Sequence, residues 1–354
     1  MKRLMTGNEA IAEAAIRAGC RYFFAYPITP QNEIPEYMAL HLPEHGGVFL
    51  QAESETAAIN MVYGAAGAGA RVMTSSSSPG ISLKMEGISY IAAAELPCVV
   101  VNVMRGGPGL GGIQPSQSDY FQAVKGGGHG DYRLLVLAPA SVQEAADLTR
   151  EAFELADYYR NPVMILADGI IGQMMEPVSF EDIRPGSSID KPWATTGARG
   201  RKPNIINSLF LDPEELEELN LRLAGKYEGM KEREQRADLY RMEDAEFVLV
   251  AYGTTARIAM TAVDMAREKG LKAGLLRPVS LFPFPERMIR STIRQASAYL
   301  AVEMSMGQMV EDLKLVVNGE RPVYFYGRTG GVVPTAEEIL EKIELMAGRN
   351  KGCA

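Results

Sequence analysis

"QAESETAAINMVYGAAGAGARVMTSSSSPG", residues 51–80, reads as the end of one strand, a helix of Ala, Gly and small polar residues, and a second strand. Strand, helix and strand in succession form the unit of a parallel sheet. Ser54 can cap the helix, and Glu55 lies in its first turn, where a carboxylate is favourable. The second strand ends in the polar turn TSSSSPG. A carboxylate between two polar strand ends suggests a flat heteroaromatic ligand lying against small residues.

The same alternation extends to both sides of this stretch. Apolar strands are predicted at 20–26, 47–53, 71–77, 98–104, 133–138 and 162–168. Helices are predicted at 8–19, 31–42, 54–69, 80–95 and 141–159. Such an order predicts an α/β domain whose parallel sheet is covered by helices on both faces.

The chain then changes character before the alternation resumes. Residues 183–243 begin rich in Pro, Gly and Ser and continue as a highly charged helix, capped by Asp212 and interrupted by Gly225 and Gly229. This helix, within 212–241, is either a solvated helix or an arm lying on a partner chain. Further strands are predicted at 247–253, 272–278, 298–304 and 322–327, and helices at 255–269, 286–296, 307–317 and 335–346. We therefore predict a first domain at 1–182, a linker and charged helical arm at 183–243, and a smaller α/β domain at 244–354.

Composition excludes several functional classes. The 354 residues carry a net charge of −8 and no basic stripe, which argues against a nucleic-acid partner. No apolar run suggests a membrane span or a signal peptide, so we expect a cytoplasmic protein. Cys20, Cys98 and Cys353 are too few and too dispersed to hold an iron–sulfur cluster. His41, His45 and His129 show no ligand spacing, so we predict no metal held by this chain alone.

The turn AYPITPQNE, residues 25–33, follows a predicted strand. Its two prolines stiffen it, and it lies at the carboxyl end of a parallel strand, where open α/β sheets bind ligands. Thr29 therefore offers a hydroxyl group on a rigid support. A plain turn in which Pro30 starts the next helix is an equal alternative.

The Gly-rich loop MRGGPGLGGIQPSQSD, residues 104–119, formally matches G-x-G-x-x-G. Pro108 interrupts the pattern and no helix follows, so the match to a dinucleotide fingerprint is weak. We interpret the loop as mobile and permissive, with Arg105 placed to grip a carboxylate in a bidentate manner. An ordinary surface arginine is the alternative.

LADGIIG, residues 166–172, approaches the G-D-G start of a thiamine diphosphate–magnesium motif. Ala167 replaces the first Gly, and no paired asparagines follow at a suitable distance. Asp168 is therefore interpreted as a strand-end residue and not as a metal ligand.

Together, YPITP, residues 51–80, RGGPGLGGIQPSQSD, LAPASVQEA, VEMSMGQMVEDLKLVVNG and GRTGGVVPT resemble the 2-oxoacid:ferredoxin oxidoreductases. The resemblance covers nearly the whole chain. It looks like the α-type subunit of the multi-subunit forms, most like the 3-methyl-2-oxobutanoate branch. This implies a pyrimidine-binding domain of the thiamine diphosphate fold, followed by a transketolase C-terminal-like domain.

The resemblance also implies the reaction and the partners. The activity would be oxidative decarboxylation of a 2-oxoacid, with coenzyme A taking the acyl group and ferredoxin the electrons. Thiamine diphosphate would be shared with a β-type subunit that carries Mg²⁺ and a [4Fe-4S] cluster. A γ-type subunit and a ferredoxin-like subunit would complete the complex.

Residue roles come from the same resemblance. Glu55 matches the glutamate that hydrogen bonds to the cofactor's pyrimidine ring and drives the tautomer switch that forms the ylid. Thr29 and Arg105 match residues that contact the 2-oxoacid group of the substrate. Tyr26, Pro27 and Ser78 would line the cofactor pocket.

Four alternatives stay open from the sequence. A 2-oxoglutarate enzyme needs a second cationic grip, which Lys125, His129 or Arg133 could supply. The other three are a non-redox transketolase-like enzyme, a dehydrogenase that uses the GPGLGG loop, and a non-catalytic scaffold subunit. The sequence gives neither the partner stoichiometry nor the physiological direction of the reaction.

Overall fold

The computed structural model describes residues 2–183 and 189–351. Cys353 and residues 184–188 of the predicted linker lie outside the described residues. The strands are β1 (Arg3–Thr6), β2 (Tyr22–Ala25), β3 (Val48–Gln51), β4 (Val72–Ser76), β5 (Cys98–Met104), β6 (Leu135–Leu137), β7 (Pro162–Asp168), β8 (Met175–Val178), β9 (Ala237–Tyr240), β10 (Phe247–Val250), β11 (Ala273–Pro278), β12 (Ser280–Phe282), β13 (Ala298–Glu303) and β14 (Val323–Gly327). The helices are α1 (Gly7–Arg17), α2 (Glu33–His41), α3 (Glu55–Gly67), α4 (Pro79–Ala93), α5 (Tyr120–Val124), α6 (Val142–Tyr159), α7 (Gly169–Gln173), α8 (Pro213–Arg233), α9 (Gly253–Glu268), α10 (Glu286–Thr292), α11 (Met309–Val317) and α12 (Ala336–Lys351).

The first sheet has seven strands in the order β12-β6-β7-β5-β4-β2-β3. All neighbouring pairs are parallel except β12 with β6. The central strands β5 and β7 are buried along their whole length, because helices cover both faces of the sheet. The predicted α/β class with a parallel sheet is confirmed.

The second sheet has the order β14-β13-β10-β11-β9. Its strands are parallel except for β9, which runs antiparallel to β11 at one edge. Helices α9 and α12 pack against one another beside this sheet and close a second core. The predicted second, smaller α/β unit is confirmed as a fold element.

Four short strands were not predicted from the sequence. β1 and β8 form a two-stranded antiparallel sheet, and β9 lies within the segment expected to be linker and arm. β12 comes from the second half of the chain, yet it completes the first sheet. Each of these strands has only three or four residues, and all four mix polar and apolar side chains, so none carries a long apolar run.

Helix α8 runs without a break through Gly225 and Gly229, so the predicted interruption is wrong. The Asp212 carboxylate caps its first turn, and a side chain added at either glycine would meet open space. A stripe of four buried side chains packs the helix against the first core of its own chain: Leu219, Leu223, Tyr227 and Met230. It is therefore not a fully solvated helix, because one face is covered by this chain.

Hydrogen bonds join the two sheets at several points. The Gln117 side chain donates to Tyr252 O at 2.8 Å and accepts from Met304 N at 3.0 Å. Asp168 at the end of β7 accepts from Thr254 N at 2.8 Å.

Over the described ranges, no helix combines the length and the apolar character that a membrane crossing requires.

Candidate active site

The carboxyl ends of β2, β4 and β5 meet at one edge of the first sheet, because these strands are parallel. The turn that holds Thr29, the turn that holds Ser78 and the loop that begins at Arg105 follow these three strands. The N-terminus of α3 joins them with Glu55. The sequence placed its candidate residues at this edge, where open α/β sheets bind ligands.

Glu55 is the first residue of α3 and is only 7% exposed, whereas Glu53 is exposed. Ser54 caps the helix by accepting a hydrogen bond from Ala57 N at 3.1 Å. A Cβ atom added at Gly80 would lie 2.8 Å from Glu55 Oε1 and 2.1 Å from Ser76 Oγ. Glycine at position 80 therefore allows the carboxyl group to lie against the backbone of α4.

Arg105 is also buried, and its guanidinium group joins the two loops at the edge. Nη1 donates to Thr29 O and Nη2 donates to Leu110 O, both at 3.0 Å. The structure thus brings the predicted pair Thr29 and Arg105 together, although the Thr29 side chain itself is exposed. Pro30 lies in the turn and does not start α2, which begins at Glu33.

The Gly-rich loop after β5 is folded back on itself. Arg105 forms an isolated bridge with Pro115, and Gly106 N donates to Gln114 O at 2.8 Å. Gly111 has φ +62°, and a Cβ there would lie 1.8 Å from Gly106 O, so this turn requires glycine. The next helix, α5, begins only at Tyr120, which agrees with rejecting a dinucleotide fingerprint here.

Ser78 lies in the wall of the site, but its hydroxyl group is committed to protein partners. Ser78 Oγ donates to Asp119 Oδ2 at 2.6 Å and accepts from Arg105 N at 3.0 Å. Asn102 Nδ2 donates to the same Asp119 oxygen at 2.9 Å. Burial raises the pKa of Asp119, while the hydrogen bonds from Ser78 and Asn102 oppose that rise. The network ties the ends of β4 and β5 to the loop.

Three buried polar groups at this edge have no hydrogen-bond partner among the described residues. They are Ser76 Oγ, Gln31 Nε2 and Arg105 Nε. No described residue forms a hydrogen bond with the Glu55 carboxyl group either. Buried polar groups are normally paired, so these groups mark the edge as a place where a polar ligand is expected.

Lys84 on α4 is a buried charged residue that the sequence analysis did not single out. It is fully buried, and its Nζ donates to Thr74 Oγ1 at 2.9 Å. Burial lowers the pKa of Lys84 to about 8, and the nearby Glu55 carboxylate opposes this shift. The sequence did contain a signal of this burial. Lys84 lies four residues after Gly80, on the apolar face of the predicted helix.

Tyr26 and Pro27 are exposed at the rim of the site, directly after β2. Asp168 is a strand-end residue as interpreted, and its carboxylate accepts from Ile170 N, Ile171 N and both the backbone and the hydroxyl group of Thr254. Burial raises its pKa, and the hydrogen bonds from Thr254 oppose the rise.

The three residues considered as a second cationic grip lie elsewhere. Lys125 pairs with Asp312, and Arg133 lies over the Phe282 ring at 6.0 Å. Both line a cavity of about 180 Å³ that contains none of the candidate site residues. His129 meets the Tyr90 ring edge-on at 6.0 Å.

Several residues of the VEMSMGQM segment form the joint between the two sheets. The Glu303 carboxylate accepts from the backbone N–H groups of Gln308, Met309 and Val310. The Gln308 side chain donates to Ser118 O at 2.7 Å and accepts from Phe121 N at 2.8 Å. This segment therefore holds the loop after β5 in place.

The chain shares its fold with a transketolase. A split-gene transketolase described as an inactive β4 tetramer superposes with a TM-score of 0.62, covering 97% of this chain and 98% of that one, at 14% identity. Residues 13–256 match the thiamine diphosphate-binding domain of pyruvate flavodoxin/ferredoxin oxidoreductases, and residues 245–339 match core domain II of pyruvate:ferredoxin oxidoreductase. The chain belongs to this oxidoreductase family, as the sequence motifs predicted.

Individual relatives indicate which branch of the family this chain is most similar to. The VorB subunit of ketoisovalerate oxidoreductase from Methanothermobacter marburgensis is 54% identical, over 98% of this chain and 99% of that protein. The KorA subunit of 2-oxoglutarate synthase from Methanothermobacter thermautotrophicus is 40% identical, over 95% and 96%. A 2-oxoglutarate:ferredoxin oxidoreductase from Magnetococcus marinus, solved with 2-oxoglutarate, coenzyme A and succinyl-CoA, has a TM-score of 0.88 at 28% identity. The superposition covers 98% of this chain and 65% of that one. Ketoisovalerate is 3-methyl-2-oxobutanoate, so the expected branch of 2-oxoacid oxidoreductase subunits is confirmed.

Proposed function

We propose that this chain is the α-type subunit of a heteromeric 3-methyl-2-oxobutanoate:ferredoxin oxidoreductase that transfers the acyl group to coenzyme A. The observation that carries the proposal is the buried Glu55 carboxyl group, which lies against Gly80 without a hydrogen-bond partner among the described residues. The 54% identity to a ketoisovalerate oxidoreductase subunit supports the substrate class.

The residues at the edge fit the aminopyrimidine end of thiamine diphosphate. Glu55 offers a carboxyl group, Ser76 Oγ and Gln31 Nε2 offer unpaired polar atoms, and Gly80 removes a side chain that would fill the space. Together these groups can hold a flat ring that carries hydrogen-bonding nitrogens. When bound, thiamine diphosphate supplies a nucleophilic carbon and an electron sink for decarboxylation.

Glu55 would act as the proton-holding group of the site. It is the first residue of α3, at the carboxyl-end edge of the first sheet. With thiamine diphosphate bound, one Glu55 oxygen would share a proton with a nitrogen of the pyrimidine ring, the interaction expected to activate the cofactor. Ser54 and Gly80 fix the carboxyl group by capping the helix and by allowing close approach.

Arg105 would bind the substrate carboxylate. Carbonyl oxygens of Thr29 and Leu110 orient the guanidinium group, while no described residue accepts a hydrogen bond from Nε. A guanidinium group held in this way can pair with a carboxylate through charge-assisted hydrogen bonds. Thr29 would contribute its exposed hydroxyl group beside it. Tyr26, Pro27 and Ser78 would form the rim and wall of the cofactor pocket.

The proposal places the remaining cofactors in partner subunits. A β-type subunit would supply Mg²⁺, the diphosphate half of the thiamine site and a [4Fe-4S] cluster, with a γ-type subunit, a ferredoxin-like subunit and ferredoxin completing the system. The relatives named as subunits support a multi-subunit enzyme. A cytoplasmic location and domain boundaries at 182 and 243 belong to the same proposal.

A 2-oxoglutarate enzyme is the second candidate, because KorA is 40% identical. It would need a cation for the distal carboxylate, and Lys125 is instead paired with Asp312.

The test is a panel of 2-oxoacids, assayed with the co-purified complex, coenzyme A and a viologen dye. A preference for branched-chain substrates supports the proposal, whereas a preference for 2-oxoglutarate refutes it. Turnover without any electron acceptor would favour the non-redox alternative.

A further inference from the structure

Ser78 occupies a strained backbone position directly after β4. Its φ is +24° and its ψ is −82°, a region that residues other than glycine rarely adopt. Such a conformation persists only where the surrounding contacts hold it, and it is concentrated at functional sites. The strained turn leads at once into Pro79 and Gly80, the first residues of α4. The contacts that hold Ser78 are therefore part of the construction of the site.

Ser78 closes the base of the Gly-rich loop, residues 104–119. Its hydroxyl group accepts from Arg105 N at 3.0 Å, where the loop begins, and donates to Asp119 Oδ2 at 2.6 Å, where the loop ends. Asn102 on β5 completes this closure. Its Nδ2 donates to the same Asp119 oxygen at 2.9 Å, and its Oδ1 accepts from Ser78 N at 3.1 Å. The turn after β4, the end of β5 and both ends of the loop are thus joined.

One oxygen atom of Asp119 is the acceptor on which the closure depends. Within the described part of the chain, Ser78 and Asn102 are its only hydrogen-bond donors, and no cation pairs with the carboxylate. Hydrogen bonds to an ionised acceptor are stronger than those between neutral groups. Loss of this oxygen would leave the Asn102 amide group without an acceptor and would allow Ser78 to relax from its strained φ.

The closure bears directly on Arg105, because Arg105 N is one of the groups that Ser78 binds. The guanidinium group of this residue donates to Thr29 O and to Leu110 O. Leu110 belongs to the same loop, so the direction of the guanidinium group depends both on the backbone at position 105 and on the position of the loop. Both are fixed at the base that Asp119 closes.

The cofactor side of the turn has anchors of its own. Gly80 N donates to Ser77 O at 2.8 Å, and Ser77 Oγ donates to Val103 O at 2.7 Å. The start of α4, against which Glu55 lies, is therefore held by contacts that do not involve Asp119. A loss at position 119 should thus affect the substrate half of the site and spare the cofactor half.

We propose that Asp119 is a positioning residue for substrate binding: through Ser78 it closes the base of the Gly-rich loop and directs the Arg105 guanidinium group toward the 2-oxoacid carboxylate. The inference rests on the proposed role of Arg105. In this role Asp119 contacts neither substrate nor cofactor, and it transfers no proton. An oxygen acceptor at position 119 therefore matters more than its charge.

The test compares Asp119→Ala with Asp119→Asn in the assembled complex, assayed with coenzyme A and a viologen dye. In Asp119→Ala, the KM for every 2-oxoacid should rise roughly fivefold, because the arginine loses its fixed direction. The kcat value and the apparent affinity for thiamine diphosphate should stay within about twofold of the wild type, since only substrate binding is weakened. Asp119→Asn keeps an oxygen that can accept from both donors, so its KM should lie within about twofold of the wild type.

Two further variants show whether the effect acts through Arg105. In the Arg105→Lys background, Asp119→Ala should raise KM little further, because the guanidinium fork that it directs is already absent. Asp147→Ala is the matched control. Burial also raises the pKa of the Asp147 carboxyl group, which accepts from Gln143 Nε2 at 3.1 Å on α6, and its loss should leave KM unchanged.

Other outcomes would overturn the inference. They are an unchanged KM in Asp119→Ala, equal losses in Asp119→Ala and Asp119→Asn, or a fall in kcat or cofactor affinity in place of the rise in KM. If Arg105→Lys itself leaves KM unchanged, the proposed role of Arg105 fails, and this inference fails with it. If Asp119→Ala does not assemble, Ser78→Ala removes the same closure from its other side and should give the same rise in KM.

Discussion

Replacing Lys84 by Met should make the chain more stable at neutral pH. The folded chain holds the amine in a buried site, where its pKa is about 8, against 10.5 for a solvated lysine. Between these values the unfolded chain binds more protons than the folded chain. The free energy of unfolding of the wild type therefore rises with pH across this window, and below pH 8 the full cost of burying the charge is present.

The size of this effect follows from the shift. A difference of about 2.5 pH units corresponds to about 3 kcal/mol of unfolding free energy. Methionine fills similar space without a charge, but it leaves the Thr74 hydroxyl group without its partner, at a cost of about 1 kcal/mol. We expect Lys84→Met to gain about 2 kcal/mol at pH 7, and this gain should disappear as the pH approaches 10.5.

Urea unfolding of the purified full chain, followed by far-ultraviolet circular dichroism at intervals from pH 7 to 10, measures both quantities. Lys226→Met serves as the matched control, because that lysine pairs with Glu95 at 2.8 Å and its loss should destabilise the chain. The two substitutions should thus change stability in opposite directions. A Lys84→Met chain that is less stable at pH 7, or a difference that does not change with pH, would show that folding does not lower the pKa of the Lys84 amine.

The remaining predictions concern the assembled complex and its site. Glu55→Gln should cut turnover by a factor on the order of 10² or more, whereas the same change at the exposed Glu53 should matter little in the viologen assay; the reverse order would move the proposed role to Glu53. Arg105→Lys should raise KM about tenfold for every 2-oxoacid in the panel, because the bidentate geometry is lost while the charge is kept. A reordered substrate preference would instead mean that Arg105 contacts the substrate side chain. The isolated chain should bind thiamine diphosphate weakly by calorimetry, and tight magnesium-dependent binding would contradict the shared site.

The parts of the fold that sequence predicted well are those that local patterns determine. Strands β5 and β7 match their predicted bounds, because long buried strands leave continuous apolar runs. The short strands β9 and β12 were missed, since their pairing depends on neighbours far away in the sequence. Edge strands of this length carry too few residues to show a period.

The residues at the candidate site likewise fall into those that local sequence patterns indicate and those that only the packing shows. Glu55, Thr29 and Arg105 were identified through motifs and strand ends, and the structure places all three at one edge. Lys84 and Asp119 were missed, because their importance arises from burial and from partners such as Thr74 and Ser78. A helical lysine shows its burial only when the packing of the neighbouring helix is known.

The position of β12 affects how this protein could be divided. A chain cut after residue 243 would retain the match to the thiamine-binding domain almost entirely, yet it would lose the strand that covers β6. Its sheet would then present unpaired N–H and C=O groups, which invite association between copies. If a gene fission divided the protein near this boundary, the amino-terminal product would therefore be prone to aggregate. This would be avoided if the carboxy-terminal product bound to it and supplied Ser280–Phe282 as the missing edge strand.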